Sequence, residues 1–168
     1  WTTYLPNNNN GAYFLEIDSD DTVYVLGSTN SEILGLSTAG VFRENYTNYS
    51  SDPNQPSVNG FIVKLSASGQ RIWGTYLPIP INRVTVFNHS IYFFTGYGVL
   101  TNPFLGNFVT SGTYQDTSPA QQVIVKFNGN NGQLVWGTYY GPAVNDYYDG
   151  IYSIKANETG IYVSGGIE

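Results

Sequence analysis

The chain has 168 residues, 41% of them hydrophobic and 16% aromatic, which suits a domain with a substantial core and excludes disorder. Only 11% are charged and the formal net charge is −6, which argues against electrostatic capture of nucleic acid or of an anionic membrane surface. Cysteine is absent, so there is no disulfide framework, thiolate nucleophile or Cys-ligated zinc.

Fifteen Tyr, nine Phe and three Trp, with many Val, Ile and Thr, suit pleated surfaces, while 19 Gly, eight Pro and 18 Asn supply turns. The composition predicts an all-β fold. No run of about 18 apolar residues is present to span a bilayer as a helix. Trp1-Thr2-Thr3-Tyr4-Leu5-Pro6 lacks the basic and apolar regions of a signal peptide, so a signal for export would lie outside this sequence. The neutral, Asn- and Tyr-rich surface reads as extracellular.

In chain order, Trp1–Leu5 predicts a strand ending at Pro6. A polar loop follows, then a hairpin of Tyr13–Ile17 and Thr22–Gly27 around the turn Asp18-Ser19-Asp20-Asp21. The hairpin returns as Arg83–Phe87 and Ile91–Phe94, and as Gly150–Ile154 and Ile161–Gly165, with Val23-Tyr24, Ile91-Tyr92 and Ile161-Tyr162 as the shared mark. A second pair of strands, Phe61-Ile62-Val63-Lys64-Leu65 and Arg71-Ile72-Trp73-Gly74-Thr75-Tyr76, returns as Val123-Ile124-Val125-Lys126-Phe127 and Leu134-Val135-Trp136-Gly137-Thr138-Tyr139. Each repeat therefore has four strands. Trp1 to Trp73 is 72 positions and Trp73 to Trp136 is 63, and the difference falls in the loops Asn30–Asn59 and Gly98–Gln121.

A repeated four-stranded unit of this length predicts β-propeller blades, since no blade buries both faces alone and stacking completes the core. A β-sandwich is the alternative, weakened by the internal copying. The expected divisions are 1–5 as the last strand of a preceding blade, 12–77 and 82–140 as blades, and 149–166 as the first hairpin of another. Closed propellers need about four to eight blades, so the expectation is a partial or open propeller, part of a longer chain or closed by symmetric copies.

The run of Val/Ile-Tyr hairpins, Ile-Val-Lys strands and Trp-Gly-Thr-Tyr-Tyr-Gly resembles the bacterial β-propeller repeat family often called SBBP repeats. It covers nearly the whole chain. Departures are Pro78 and Pro80 after Trp73-Gly74-Thr75-Tyr76 and a second hairpin without the acidic turn. The resemblance implies large secreted or cell-surface proteins of the Bacteroidetes, many exported by the type IX system, with roles such as adhesion and mostly without an assigned activity.

The densest carboxylate group, Glu16, Asp18, Asp20 and Asp21, has oxygen ligands at alternate spacing, yet it lacks the Gly and distal Glu of a calcium loop and reads as a capped turn. Asp146 and Asp149 raise glycoside hydrolysis by paired carboxylates only if folding sets them about 5–10 Å apart. His89, the one histidine, lies in a hairpin turn. Lys64 and Lys126 read as a structural pair whose ammoniums reach a carboxylate or carbonyl, and Trp73 and Trp136 as packing between blades. Sequons at Asn45, Asn48, Asn88 and Asn157 are expected by chance in an Asn-rich chain, and Gly96-Tyr97-Gly98 is no phosphate cradle, because no helix follows.

The function that this pattern predicts is a non-enzymatic module, without catalytic residue, metal or cofactor, that binds a glycan or a surface protein through its long loops. Tyr46, Tyr49, Tyr97 and Tyr114 are the candidate contacts, as rigid amphipathic groups able to stack on sugars or protein. A propeller enzyme acting on glycans, hydrolase or lyase, and a structural spacer of a large adhesin are the alternatives.

Overall fold

The structure, a computed structural model, describes residues 1–2, 10–50, 52, 54, 56–96, 104–117, 122–141 and 150–166. Its strands are β1 Asn10–Ile17, β2 Val23–Thr29, β3 Asn59–Leu65, β4 Arg71–Leu77, β5 Arg83–Phe87, β6 Ser90–Thr95, β7 Gln122–Asn128, β8 Gln133–Tyr140, β9 Gly150–Asn157 and β10 Gly160–Gly166. A short 3-10 helix, Leu105–Asn107, precedes β7. The fold is all-β, with antiparallel sheets in the orders β1-β2-β3-β4, β5-β6-β7-β8 and β9-β10, none of them closed on itself. The chain forms two compact units, Trp1–Pro80 with Gly129–Gln133, and Ile81–Asn128 with Leu134–Glu168.

In the first unit, register decides which residues share a face. Tyr24 lies opposite Lys64, and Lys64 opposite Trp73, so these three occupy one face with Leu26 and Ile62. Val25, Val63 and Gly74 lie on the other, with Val23, Leu65, Phe61 and Tyr76. All of β3 is buried, and from Phe61 to Leu65 it is an apolar run broken only by Lys64. That lysine lays its ammonium over the Tyr24 ring, 5.1 Å from the centroid, a cation–π contact rather than the carboxylate or carbonyl expected. The Trp73 indole N–H donates to the Gly129 carbonyl at 2.9 Å, and a Cβ added at Gly132 would meet the indole at 2.9 Å. Trp1 stands in the same relation to the earlier turn. Its indole N–H donates to the Ala67 carbonyl at 2.8 Å, and a Cβ at Gly69 would meet its ring at 2.5 Å. Both turn glycines have positive φ, 80° at Gly69 and 68° at Gly132. Trp1–Leu5 as a strand lies outside the described residues beyond Thr2.

The second unit repeats the pattern with larger side chains. Lys126 is paired with Tyr92 and its ammonium lies 5.3 Å from that ring centroid. Phe93 is fully buried between Phe108 and Phe127, with ring centroids 5.9 and 5.5 Å away in edge-on and tilted geometry respectively. The hairpin β9-β10 packs its Ile151, Ile154, Ile161 and Val163 on the sheet face that carries Tyr92, Phe94, Ile124 and Trp136. Trp136 thus packs where this hairpin meets the sheet.

The first and third hairpins share a β-bulge. The register skips Tyr13 between Ala12 and Phe14, and skips Tyr152 between Ile151 and Ser153. Opposite each bulge stands a glycine with no room for a side chain: a Cβ on Gly27 would lie 2.0 Å from the Gly11 carbonyl oxygen, and one on Gly165 2.0 Å from that of Gly150. The extra tyrosine is turned outward, 65% exposed at Tyr13 and 57% at Tyr152. The middle hairpin has Thr95 where the others have glycine, and it pairs without a shift from Arg83 to Phe87. It closes through Asn88 and His89, both at positive φ (46° and 53°), as a two-residue hairpin turn of the primed class requires.

Candidate functional site

The loops that the sequence offers as binding elements are, over much of their length, part of the sheets. A fourth strand leaves one edge of unpaired N–H and C=O groups, and each long loop folds back to cover it. On β4, Thr38 N–H donates to Gly74 O at 3.0 Å, Tyr76 N–H donates to Arg43 O at 3.0 Å, and Arg43 N–H donates to Thr75 Oγ1 at 3.0 Å. On β8, Thr110 N–H donates to Gly137 O at 3.0 Å, Tyr139 N–H to Gln115 O at 2.9 Å, and Gln115 N–H to Thr138 Oγ1 at 2.9 Å. A Cβ on Gly74 would lie 2.1 Å from Leu36 O, and one on Gly137 2.2 Å from Phe108 O.

The Trp-Gly-Thr-Tyr motif is thereby accounted for position by position. Tryptophan packs against a neighbouring element, glycine admits the returning loop, threonine ties that loop with its hydroxyl, and tyrosine supplies a backbone donor. In the first unit the Tyr76 hydroxyl adds two more bonds, accepting from Ile33 N–H at 2.8 Å and donating to Ile33 O at 3.0 Å. Burial, more than the nearby Glu32 carboxylate, raises the Tyr76 phenol above its ordinary value.

These latches have a sequence signal that runs through loops of unequal length. Leu36-Ser37-Thr38-Ala39-Gly40-Val41-Phe42-Arg43-Glu44 matches Phe108-Val109-Thr110-Ser111-Gly112-Thr113-Tyr114-Gln115-Asp116 as an apolar anchor, then Thr-small-Gly-x-aromatic-x-acid. Both glycines take positive φ, 78° and 81°. The terminal acid closes the turn: Gly40 N–H donates to Glu44 Oε1 at 2.8 Å, and Gly112 N–H to Asp116 Oδ2 at 2.6 Å. Reading the loops as variable polar connections misses this signal.

The candidate tyrosines separate accordingly. Tyr46 packs edge-on against Tyr76 at 6.1 Å, and its hydroxyl lies 2.9 Å from both Asn30 O and Ser57 O. Tyr49 lies beneath the Arg43 guanidinium, 5.5 Å from ring centroid to carbon, and its N–H donates to Ser57 Oγ at 2.9 Å. Both belong to the packing of the first loop. Tyr114 is 86% exposed at the tip of the second latch. Tyr97 lies outside the described residues, as do Asp146 and Asp149.

The acidic turn is built as a turn. Asp18 Oδ1 accepts from Ser19 N–H at 2.8 Å, while Asp20 Oδ1 accepts from Thr22 N–H at 3.1 Å and from the Thr22 hydroxyl at 2.6 Å. Asp21 adopts a φ of 61°. Asp18 is buried against the sheet, where its negative charge, after burial itself, helps raise the Tyr24 phenol above its ordinary value. Two sequon asparagines make the same kind of local bond. Asn157 Oδ1 accepts from Thr159 N–H and its hydroxyl, and Asn48 Oδ1 accepts from Ser50 and Ser57 N–H. Comparison with protein-family models returns no match, and comparison with curated proteins returns none either.

Proposed function

We propose that this chain is a non-enzymatic β-propeller module of a secreted or cell-surface bacterial protein, similar to SBBP repeats, that binds a glycan or protein partner through aromatic side chains on its loops. The observation that carries this reading is the recurrence of the latch in both sheets. The recurring latch residues, Thr75 and Thr138 through their hydroxyls, Gly40 and Gly112 through their N–H groups, Glu44 and Asp116 through their carboxylates, make local hydrogen bonds that hold the scaffold. Variation between repeats is then free to fall on exposed loop positions, and Tyr114 is the one of the candidate tyrosines turned to solvent among the described residues. A glycan-active enzyme would need carboxylates free to exchange protons with a substrate, whereas those of Asp18 and Asp20 accept bonds from their own turn.

A structural spacer is the second reading, and one observation favours it. Tyr114 stands at the position of Phe42, whose N–H donates to Gly132 O at 3.0 Å, so this aromatic position can serve to dock a following turn. A glycan array probed with the chain and with Tyr114→Ala decides between them. The binding reading expects capture of a carbohydrate class that falls about tenfold on losing the ring, a stacking contribution of ~1.4 kcal/mol, with an unchanged melt. Binding that is indifferent to Tyr114, or absent for both glycans and surface proteins, overturns it. Turnover of an oligosaccharide would point to the enzyme instead.

A further inference from the structure

We infer that the open face of the first sheet is the seat of another four-stranded repeat of this kind, the one whose fourth strand carries Trp1. The inference deepens the repeat reading above and rests on it, through equivalences between hairpins of the same chain. On that face lies an apolar groove of about 960 Å³, floored by Leu15, Val23, Val25 and Val63 and rimmed by Trp1 and Leu34. Leu15, Leu34 and Trp1 are 62%, 85% and 64% exposed.

The registers of the hairpins identify what fits there. Val25 lies opposite Leu15 in the first hairpin as Val163 lies opposite Ile154 in the third, and Gly27 lies opposite Ala12 as Gly165 lies opposite Ile151. Val23, Val25 and Leu15 are thus the counterparts of Ile161, Val163 and Ile154. In the third hairpin those residues are seated on Tyr92, Phe94, Ile124 and Trp136 of a four-stranded sheet. The face of the first sheet is therefore shaped for a Tyr-Phe-Ile-Trp face of the same design.

Trp1 supplies a second, independent mark. It stands to the Ala67–Gly69 turn as Trp73 stands to the Gly129–Gly132 turn, with the same indole bond to a carbonyl and the same closeness to a positive-φ glycine. Trp73 reaches its turn from a fourth strand. Trp1 therefore occupies the place that the fourth-strand tryptophan of the occupying repeat would take, at the rim of the groove that this repeat would fill.

The test joins a second copy of residues 82–135 directly to Trp1, so that Trp1 takes the place of Trp136 in the added sheet, and carries Thr2→Gly, because that position replaces Gly137, where a Cβ would meet the Phe108 carbonyl. Because the chain has no cysteine, Leu15→Cys gives one reporter thiol. The thiol should react freely in the 168-residue chain and about tenfold or more slowly in the extended chain, as for a group exposed only by local opening. Undiminished labelling with the added strands protected from hydrogen exchange overturns the inference. Should the extension fail to fold, the 168-residue chain still decides. Leu15→Asp with Leu34→Asp should abolish binding of an apolar fluorescent dye and leave Tm within about 2 °C. A larger fall in Tm would mean that the chain already covers the face itself. A dimer by light scattering that the same pair of substitutions dissociates would assign the seat to a second copy, and either result overturns the proposal.

Discussion

Replacing Gly74 by alanine tests the edge latch with a single methyl group. Glycine inside a strand costs roughly 0.5–1 kcal/mol relative to alanine, so propensity alone predicts a more stable protein. The structure predicts the reverse. A Cβ at this position would lie 2.1 Å from the Leu36 carbonyl oxygen, and that partner is backbone, unable to swing aside. The loop must lift from β4, and lifting breaks Thr38 N–H to Gly74 O, Tyr76 N–H to Arg43 O and Arg43 N–H to Thr75 Oγ1. At about 1 kcal/mol net per hydrogen bond the loss is about 3 kcal/mol, to which any partial exposure of buried Leu36 adds. For a chain of this size that lowers Tm by roughly 6–12 °C. Thermal melts monitored by circular dichroism give the magnitude, and amide exchange gives the location: protection should fall at Thr38, Arg43 and Tyr76 and persist in β2 and β3. A Gly74→Ala protein that melts at the same temperature or higher, with those amides still protected, would refute the latch as a stabilising device.

Trp73→Ala removes a buried indole together with its bond to Gly129 O and its contact with Tyr24, and should cost about 3–5 kcal/mol by denaturant titration. Gly27→Ala should destabilise by about 1–3 kcal/mol, because its Cβ would strike the Gly11 carbonyl, whereas Thr95→Ala at the equivalent place in the middle hairpin meets no bulge and should leave the β5-β6 pairing intact by amide exchange. Burial raises the Tyr24 and Tyr76 phenols above the ordinary value of 10.0. The unfolded chain therefore loses these protons first as pH rises, stability is fully present below about pH 10, and it falls above that. Ultraviolet titration should show late-ionising tyrosines, and Tyr24→Phe should flatten the alkaline fall in Tm; a slope unchanged by that substitution would contradict the assignment. Asp20→Ala frees Thr22 N–H and its hydroxyl and should cost about 1 kcal/mol, as loss of a local cap does.

What the sequence by itself determined is the set of strands and their repetition. Alternating β-branched and aromatic residues bounded by Gly, Asn and Asp state where a chain can pleat and where it must turn, and the double Lys-strand and Trp-Gly-Thr-Tyr strand states that two sheets share one plan. Those signals are local, which is why β3, β4, β7 and β8 were legible almost residue by residue. What the Gly of Trp-Gly-Thr-Tyr does was not legible, because its partner is the Leu36 or Phe108 carbonyl, distant along the chain at a spacing that differs between repeats. Lys64 and Lys126 were recognisable as a pair, but that a tyrosine ring rather than an anion receives each charge follows from strand register. The candidate tyrosines show the same limit. An aromatic residue in a polar loop has one appearance in sequence, and only the returning path of the loop against its own sheet packs Tyr46 on Tyr76 while leaving Tyr114 in solvent.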